Sequence, residues 1–239
     1  MKNFLKKFFE KTISLFFPTK CINCQREGSF LCQDCLVLIT LFENNFCPIC
    51  NSPKISFPGE FCFSCKKLFS LDGLLFATSY SEPIVKKAFS YFKYPPFIKN
   101  LADPLSFLII SQLKLKTNKF KNFLVSFVPI TQKKRKFRGF NQSEEIAKRV
   151  SKALGLPVFS LLEKTKETRP QMELQREERR KNIEGVFSLI ESRKKLVKGA
   201  KVLLIDDIFT TGATLNEAAR VLKEGGAKKV FGVVIAREF

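Results

Sequence analysis

Two adjacent carboxylates followed by hydroxyl side chains form the chemically most distinctive segment of the sequence. It contains Asp206, Asp207, Thr210, Thr211, Gly212, Ala213 and Thr214. Adjacent carboxylates can accept hydrogen bonds from the vicinal hydroxyls of a ribose, and hydroxyls beside the free amides of a helix start can bind phosphate. Gly212 permits close approach of the backbone. A capped helix after a buried strand explains part of this pattern but not both acids together, so the segment predicts a sugar-phosphate site.

Eight cysteines in four C-x-x-C pairs predict metal binding near the start of the chain. They are Cys21, Cys24, Cys32, Cys35, Cys47, Cys50, Cys62 and Cys65. Two such turns complete a tetrahedral four-thiolate site, and the absence of histidine from the sequence leaves cysteine as the main ligand for zinc. We expect two structural zinc ions with sequential pairing of the cysteines, although a cross-braced pairing stays open. Disulfides are disfavoured because we expect a reducing cytoplasmic location.

The charge balance favours a polyanionic partner. The chain has 239 residues, with 42 Lys and Arg against 22 Asp and Glu, which gives a net charge of +20. Neutralised nucleic-acid phosphates release counterions, so nucleic acid is the favoured partner, although a general compositional bias is an equal alternative. The lack of histidine excludes Ser-His-Asp and Cys-His catalysis.

Residues 1–18 predict a short amphipathic helix that ends at Pro18. Charged residues interrupt its apolar face, and the sequence contains no uninterrupted apolar window long enough for a membrane span. We therefore expect neither a signal peptide nor stable membrane insertion.

After residue 71, the apolar runs alternate with amphipathic stretches. Strands are predicted over 74–80, 123–130, 158–162, 187–190, 201–206 and 230–236, and helices over 82–92, 98–115, 141–154 and 215–224. A basic turn is expected after residue 130. This alternation predicts an α/β domain with a mostly parallel sheet flanked by helices, in which ligands bind beyond the carboxyl ends of the strands. The expected division is 1–18 for the helix, 19–68 for the cysteine-rich module and 71–239 for the α/β domain.

The segment around Asp206 resembles the 5-phosphoribosyl-1-pyrophosphate (PRPP) binding motif of type I phosphoribosyltransferases. That resemblance implies ribose binding by Asp206 and Asp207, 5′-phosphate binding by 210–214, and magnesium bound through ligand oxygens. The whole chain resembles the ComF (ComFC/GntX) family through the cysteine pairs and through Tyr80, Phe89, Lys93, Tyr94, Val128 to Ile130, Arg138 to Gln142, Thr168, Gln171, Leu174, Arg176, Arg179, Asn182, Gly185 and Phe187.

The ComF resemblance implies a double zinc ribbon joined to a phosphoribosyltransferase-like domain that works in DNA uptake. It implies single-stranded DNA and the uptake machinery as partners. Arg138, Arg176 and Arg179 are candidates for contact with pyrophosphate or DNA phosphate, whereas ordinary solvation suits Lys133, Lys134, Arg135 and Lys136 better.

Three functions stay open at this point. The chain can be a nucleic-acid handling protein that recognises a phosphoribosyl group, a true phosphoribosyltransferase with an unidentified acceptor, or a zinc-stabilised adaptor with a degenerate site. The charged stretch 165–185 is either a lid over the site or a solvated helix face.

Overall fold

The computed structural model describes residues 18–53, 57–114, 117–168, 178 and 182–239. The predicted N-terminal helix lies outside these ranges, except for Pro18. The strands are β1 (Gly73–Ser79), β2 (Phe123–Phe127), β3 (Leu162–Lys164), β4 (Phe187–Leu189), β5 (Lys201–Ile205), β6 (Ile208–Phe209) and β7 (Lys229–Arg237).

Helices surround these strands. They are α1 (Gln33–Leu36), α2 (Phe63–Lys66), α3 (Pro83–Lys93), α4 (Ala102–Lys114), α5 (Thr117–Phe120), α6 (Gln132–Arg138), α7 (Gln142–Leu154), α8 (Lys194–Val197) and α9 (Ala213–Glu224). Two 3₁₀ turns, Lys99–Leu101 and Glu191–Arg193, precede α4 and α8. No helix within the described ranges is both long enough and apolar enough to cross a bilayer.

The main sheet has the strand order β1-β7-β5-β2, and all of its strand pairs are parallel. Its central strands β5 and β7 are nearly continuous apolar runs, as expected for strands covered on both faces. A separate antiparallel pair joins β3 and β4. The predicted α/β class with a mostly parallel sheet is therefore confirmed.

The core is divided between the two faces of this sheet. Leu203 and Ile205 of β5 pack with the core beneath α3, α4 and α7, whereas Val202 and Leu204 pack with the core beneath α9. This alternation follows from the two-residue period of side chains along a strand. Both layers of helices are thereby anchored to β5, the strand that ends just before Asp206.

The cysteine-rich segment covers the exposed edge of β1. The Phe42 amide donates to Ala77 O at 2.9 Å, and the Leu74 amide donates to Gly59 O at 2.7 Å. The side chain of Asn44, which is fully buried, donates to Phe76 O at 2.9 Å. These bonds satisfy backbone groups that an uncovered edge strand would leave open to other chains.

Two local predictions were wrong. The basic turn expected after residue 130 is helix α6, which Thr131 caps through its hydroxyl and which Gly139 ends with a φ of 79°. Its lysines, arginines and glutamine are good helix formers. The strand expected over 158–162 is reduced to one parallel bridge between Val158 and Val125, and the next strand begins only at Leu162. The chain leaves the main sheet there to pair with β4 instead.

Candidate functional site

The two acids lie within an almost unbroken extended segment beside β7. Ile205 pairs with Val233 and Ile208 pairs with Ala236, so β5 and β6 keep one register on the same edge of β7. The amide of Asp206 donates to Val233 O at 3.0 Å. The fold therefore presents both carboxylates at the carboxyl end of the sheet, where parallel α/β folds bind ligands.

Two residues from the helical layer hold these carboxylates. Ser143, in the first turn of α7, donates its hydroxyl to Asp206 Oδ1 at 2.9 Å. Lys93, the last residue of α3, has its Nζ 2.9 Å from Asp207 Oδ1, and both side chains are largely buried. The C-terminal end of α3 and the N-terminal end of α7 thus meet at the pair of acids.

The environment of the acids changes their protonation. Burial, together with the negative charge of the neighbouring Asp207, raises the pKa of Asp206 to about 7. The Ser143 hydrogen bond and the Lys93 ammonium oppose this rise in pKa. Asp206 therefore changes charge near neutral pH, so it can either accept or donate a hydrogen bond toward a ligand hydroxyl.

A group of cations begins at Lys164, which interacts electrostatically with Asp206. Burial, together with the positive charge of Lys134, lowers the pKa of Lys164 to about 8, whereas Glu167 and Asp206 favour its charged form. Lys164 Nζ donates to Thr168 Oγ1 at 2.9 Å. Burial and Arg138 lower the pKa of Lys134. Partly desolvated lysines beside two acids suit an anionic ligand that also carries hydroxyls.

The threonine turn joins β6 to α9. The hydroxyl of Thr211 accepts from the Ala213 amide at 3.4 Å, and α9 begins at Ala213. Gly212 has a φ of +76°, and a Cβ there would lie 2.4 Å from Phe209 Cζ. Glycine is therefore required by both the backbone conformation and the packing. Thr210, Thr211, Ala213 and Thr214 keep partial exposure, whereas Gly212 is buried.

The end of the cysteine-rich segment braces this turn. The amide of Ser70 donates to Asn216 Oδ1 at 2.7 Å, in the first turn of α9. The ring of Phe69 lies against Gly212, where it would be 3.3 Å from an added Cβ. Arg237 of β7 donates to Asn51 Oδ1 at 3.3 Å, between the cysteines of the second group. The cysteine-rich module thereby contacts the end of β7, and the two residues that follow it contact the start of α9.

The cysteines form two groups in sequential pairing. Cys21, Cys24, Cys32 and Cys35 make the first group, and Cys47, Cys50, Cys62 and Cys65 make the second. The sulfurs of each group lie within 4.8 Å of one another, and all eight cysteines are free thiols. A tetrahedron with Zn–S bonds of about 2.3 Å has sulfur–sulfur edges of about 3.8 Å. The 3.6 Å separations of Cys24 from Cys32 and of Cys50 from Cys62 fit that geometry.

The three arginines predicted to contact phosphate have different outcomes. Arg138 is partly buried and donates to Gln142 Oε1 at 3.1 Å, close to Lys134. Arg176 and Arg179 lie outside the described residues. Lys134, for which simple solvation was expected, is half-buried, and burial and the charge of Arg138 lower its pKa.

Lys93, Ser143 and Lys164 were not predicted to contact the acids. Lys93 ends a helix and Ser143 lies in the first turn of another, and these residue types are common near helix ends for reasons of capping and helix dipole alone. Lys164 ends a three-residue strand that belongs to no motif. The only available signal was that Lys93 itself carries the family resemblance and that Ser143 directly follows Gln142, which also carries it.

Comparison with known proteins agrees with this geometry. The phosphoribosyl transferase domain family matches residues 141–238, which include both acids, the threonine turn and Ser143. A glutamine PRPP amidotransferase structure from B. subtilis has a TM-score of 0.41 and 18% identity over 62% of this chain and 30% of its own. The family match and the parallel sheet show that the described part of the chain contains a type I phosphoribosyltransferase-like fold, preceded by two four-cysteine groups.

Two curated relatives match nearly the full length. Competence protein ComFC of Streptococcus pneumoniae is 31% identical over 222 residues, which span 92% of each chain. Competence protein F of Haemophilus influenzae is 27% identical over 223 residues, which span 90% of this chain and 95% of the relative. The chain belongs to the ComF/ComFC family.

Proposed function

We propose that this chain binds a phosphoribosyl ligand such as PRPP at Asp206, Asp207 and the turn 210–214. The observation that supports this most strongly is the position of both acids at the end of β5, just before the turn that opens α9. The acids would hold the ribose hydroxyls, and the turn would hold the 5′-phosphate. The region 71–239 would supply the whole ligand site, and the zinc-binding module 19–68 would brace it.

The cations favour a ligand with more than one phosphate. Lys164, Lys134 and Arg138 form a chain of neighbouring positive charges next to Asp206. Pyrophosphate oxygens would pair with these cations, and the cost of desolvating the lysines would be offset by the ligand charge. Magnesium fits this donor set, because it usually binds through a few carboxylates together with substrate phosphates, and it would neutralise ligand charge.

The zinc role that we propose is structural. An all-cysteine site leaves no open coordination position, so the ions would supply folding free energy rather than catalysis. In both groups a backbone amide donates to a sulfur: Cys32 N to Cys21 Sγ at 3.5 Å and Cys62 N to Cys47 Sγ at 3.4 Å. Such bonds are those expected around metal-bound thiolates.

The cellular role that we propose is the handling of single-stranded DNA in the cytoplasm during uptake, with the uptake machinery as partner. The curated relatives are named as competence proteins, and the net charge of +20 favours a polyanion. Titration of a labelled DNA single strand with the protein, repeated at several salt concentrations, tests this role. Log affinity should fall linearly with log salt, by about 0.7 for each phosphate contacted. A flat response would exclude backbone contacts.

An active phosphoribosyltransferase is the second candidate function. The pKa of about 7 for Asp206 and of about 8 for Lys164 favour it, because both groups can exchange protons near neutral pH. Pyrophosphate release from PRPP and magnesium should then appear with the correct acceptor, and Asp207→Asn should abolish it. No release over a broad acceptor panel would favour the binding function.

A zinc-stabilised adaptor with a degenerate site is the third candidate. It would need neither PRPP nor pyrophosphate contacts. The intact pair of acids and the strict requirement for glycine at 212 argue against it. Absence of PRPP binding by the zinc-loaded protein would favour it.

A further inference from the structure

A second cationic cleft lies at the opposite end of α9 from the acids. It has a volume of about 480 Å³ and is lined by Leu189, Lys194, Lys195, Lys198, Val221, Glu224 and Gly225. The acids lie near the start of α9, whereas Glu224 and Gly225 mark its end. A helix of 12 residues is about 18 Å long, so the cleft and the phosphoribosyl site are separate surfaces.

The floor of the cleft is apolar and closely packed. A Cβ at Gly225 would lie 2.2 Å from Leu189 Cδ1 and 3.3 Å from Val197 Cγ1, so this position requires a very small residue. Leu189 and Val221 contribute aliphatic side chains to the cleft lining. Beside the cleft, the guanidinium of Arg193 lies 5.6 Å from the centre of the Phe159 ring.

The rim has an excess of positive charge that the protein does not neutralise. Lys195 and Lys198 are exposed, and neither forms an ion pair with a carboxylate among the residues that the structure describes. Lys194 pairs with Glu191 at 2.7 Å, and Glu224 pairs with Arg220 at 2.6 Å. The acids near the cleft are thus already paired, and two ammonium groups remain available for an anion.

We infer that this cleft binds the backbone and a base of single-stranded DNA. Lysines at the rim would contact phosphates, and the apolar floor would contact a base face that only an unpaired strand can offer. A cleft of this volume accommodates a nucleotide-sized group. The inference rests on the DNA-handling part of the proposed function and assigns that binding to a surface away from Asp206.

Anisotropy of a fluorescein-labelled oligothymidylate tests the cleft with four zinc-loaded proteins. They are the wild type, the double variant Lys195→Gln with Lys198→Gln, its arginine counterpart Lys195→Arg with Lys198→Arg, and the control Lys86→Gln with Lys87→Gln. The control removes the same charge from exposed positions on α3. Equal melting temperatures would show that all four proteins are folded.

The cleft glutamine variant should bind the strand at least about tenfold more weakly, and its salt slope should be smaller by about 1.4, which corresponds to two lost phosphate contacts. The arginine variant and the control should bind like the wild type.

The inference would be overturned by wild-type affinity in the cleft glutamine variant, by an equal loss in the control, or by equally tight binding of a duplex of the same sequence. Failure of the wild type to bind any oligonucleotide would instead refute the DNA-handling function itself. If inorganic phosphate displaced the labelled strand as effectively as the unlabelled strand does, the cleft would bind a simple anion, and the proposal would be contradicted.

Discussion

Lys93 Nζ lies 2.9 Å from Asp207 Oδ1, in a largely buried ion pair between the end of α3 and the end of the central strands. The ammonium offsets the repulsion between two neighbouring carboxylates, and Asp206 still has a raised pKa. A ribose hydroxyl that approaches Asp207 would share this carboxylate with Lys93. The ion pair therefore orients the acid before a ligand arrives.

Replacement of Asp206 should change how stability depends on pH. Its pKa is 3.8 in an ordinary environment and about 7 in the folded protein, so its contribution to stability is complete below pH 4 and is lost as the pH rises to 7. As the pH rises from 5 to 8, the free energy of unfolding of Asp206→Asn should therefore increase by about 2–3 kcal/mol relative to that of the wild type. Urea unfolding at both pH values measures this, with the exposed Asp103→Asn as control. If the wild type and Asp206→Asn differed in free energy of unfolding by the same amount at pH 5 and at pH 8, the raised pKa would be refuted.

Gly212→Ala should damage both the fold and the ligand site. A positive φ costs a residue with a Cβ about 1–2 kcal/mol, and the close contact with Phe209 adds a further cost of about 1–3 kcal/mol. Gly155→Ala is the matched control, because Gly155 has a φ of +64° but no atom within 4 Å of an added Cβ. Thermal unfolding should show the larger loss at 212. Equal losses at both positions would mean that the packing against Phe209 is unimportant.

Double cysteine variants should separate sequential from cross-braced zinc binding. Cys24→Ser with Cys32→Ser removes two ligands from one group, so about one zinc ion per chain should remain. Cys24→Ser with Cys50→Ser damages both groups, so zinc should be largely lost. Elemental analysis of the purified proteins measures the difference. The reverse pattern would indicate cross-braced sites.

Lys164 should make the binding of an anionic ligand depend on pH. Because its pKa is about 8, its charge is present at pH 7 and mostly lost at pH 9. Affinity for pyrophosphate should therefore fall over this range, and Lys164→Arg should remove that part of the fall because arginine stays charged. Lys166→Arg, on the exposed part of the same segment, should behave like the wild type. Identical pH profiles for all three proteins would exclude Lys164 from the site.

The sequence predicted those parts of the molecule that depend on residues close to one another along the chain. The strand before Asp206, the glycine turn at 212 and the C-x-x-C pairs are local patterns, because each combines its residues within one turn or strand. The contacts of Lys93 and Ser143 with the acids could not be predicted, because they depend on where α3 ends and α7 begins in the folded protein. The same holds for the continuation of β5 into β6 beyond the acids.

The most direct test of the central claim is calorimetric titration of the zinc-loaded protein with PRPP and magnesium. The wild type and Asp103→Asn should bind PRPP with the same affinity, because Asp103 lies on the surface and pairs with Arg149. Asp207→Asn should lose at least about tenfold in affinity, since a charge-assisted hydrogen bond contributes about 1.5–3 kcal/mol. Equal PRPP affinity in Asp207→Asn and the wild type, or no binding by the wild type, would contradict a phosphoribosyl site at these acids.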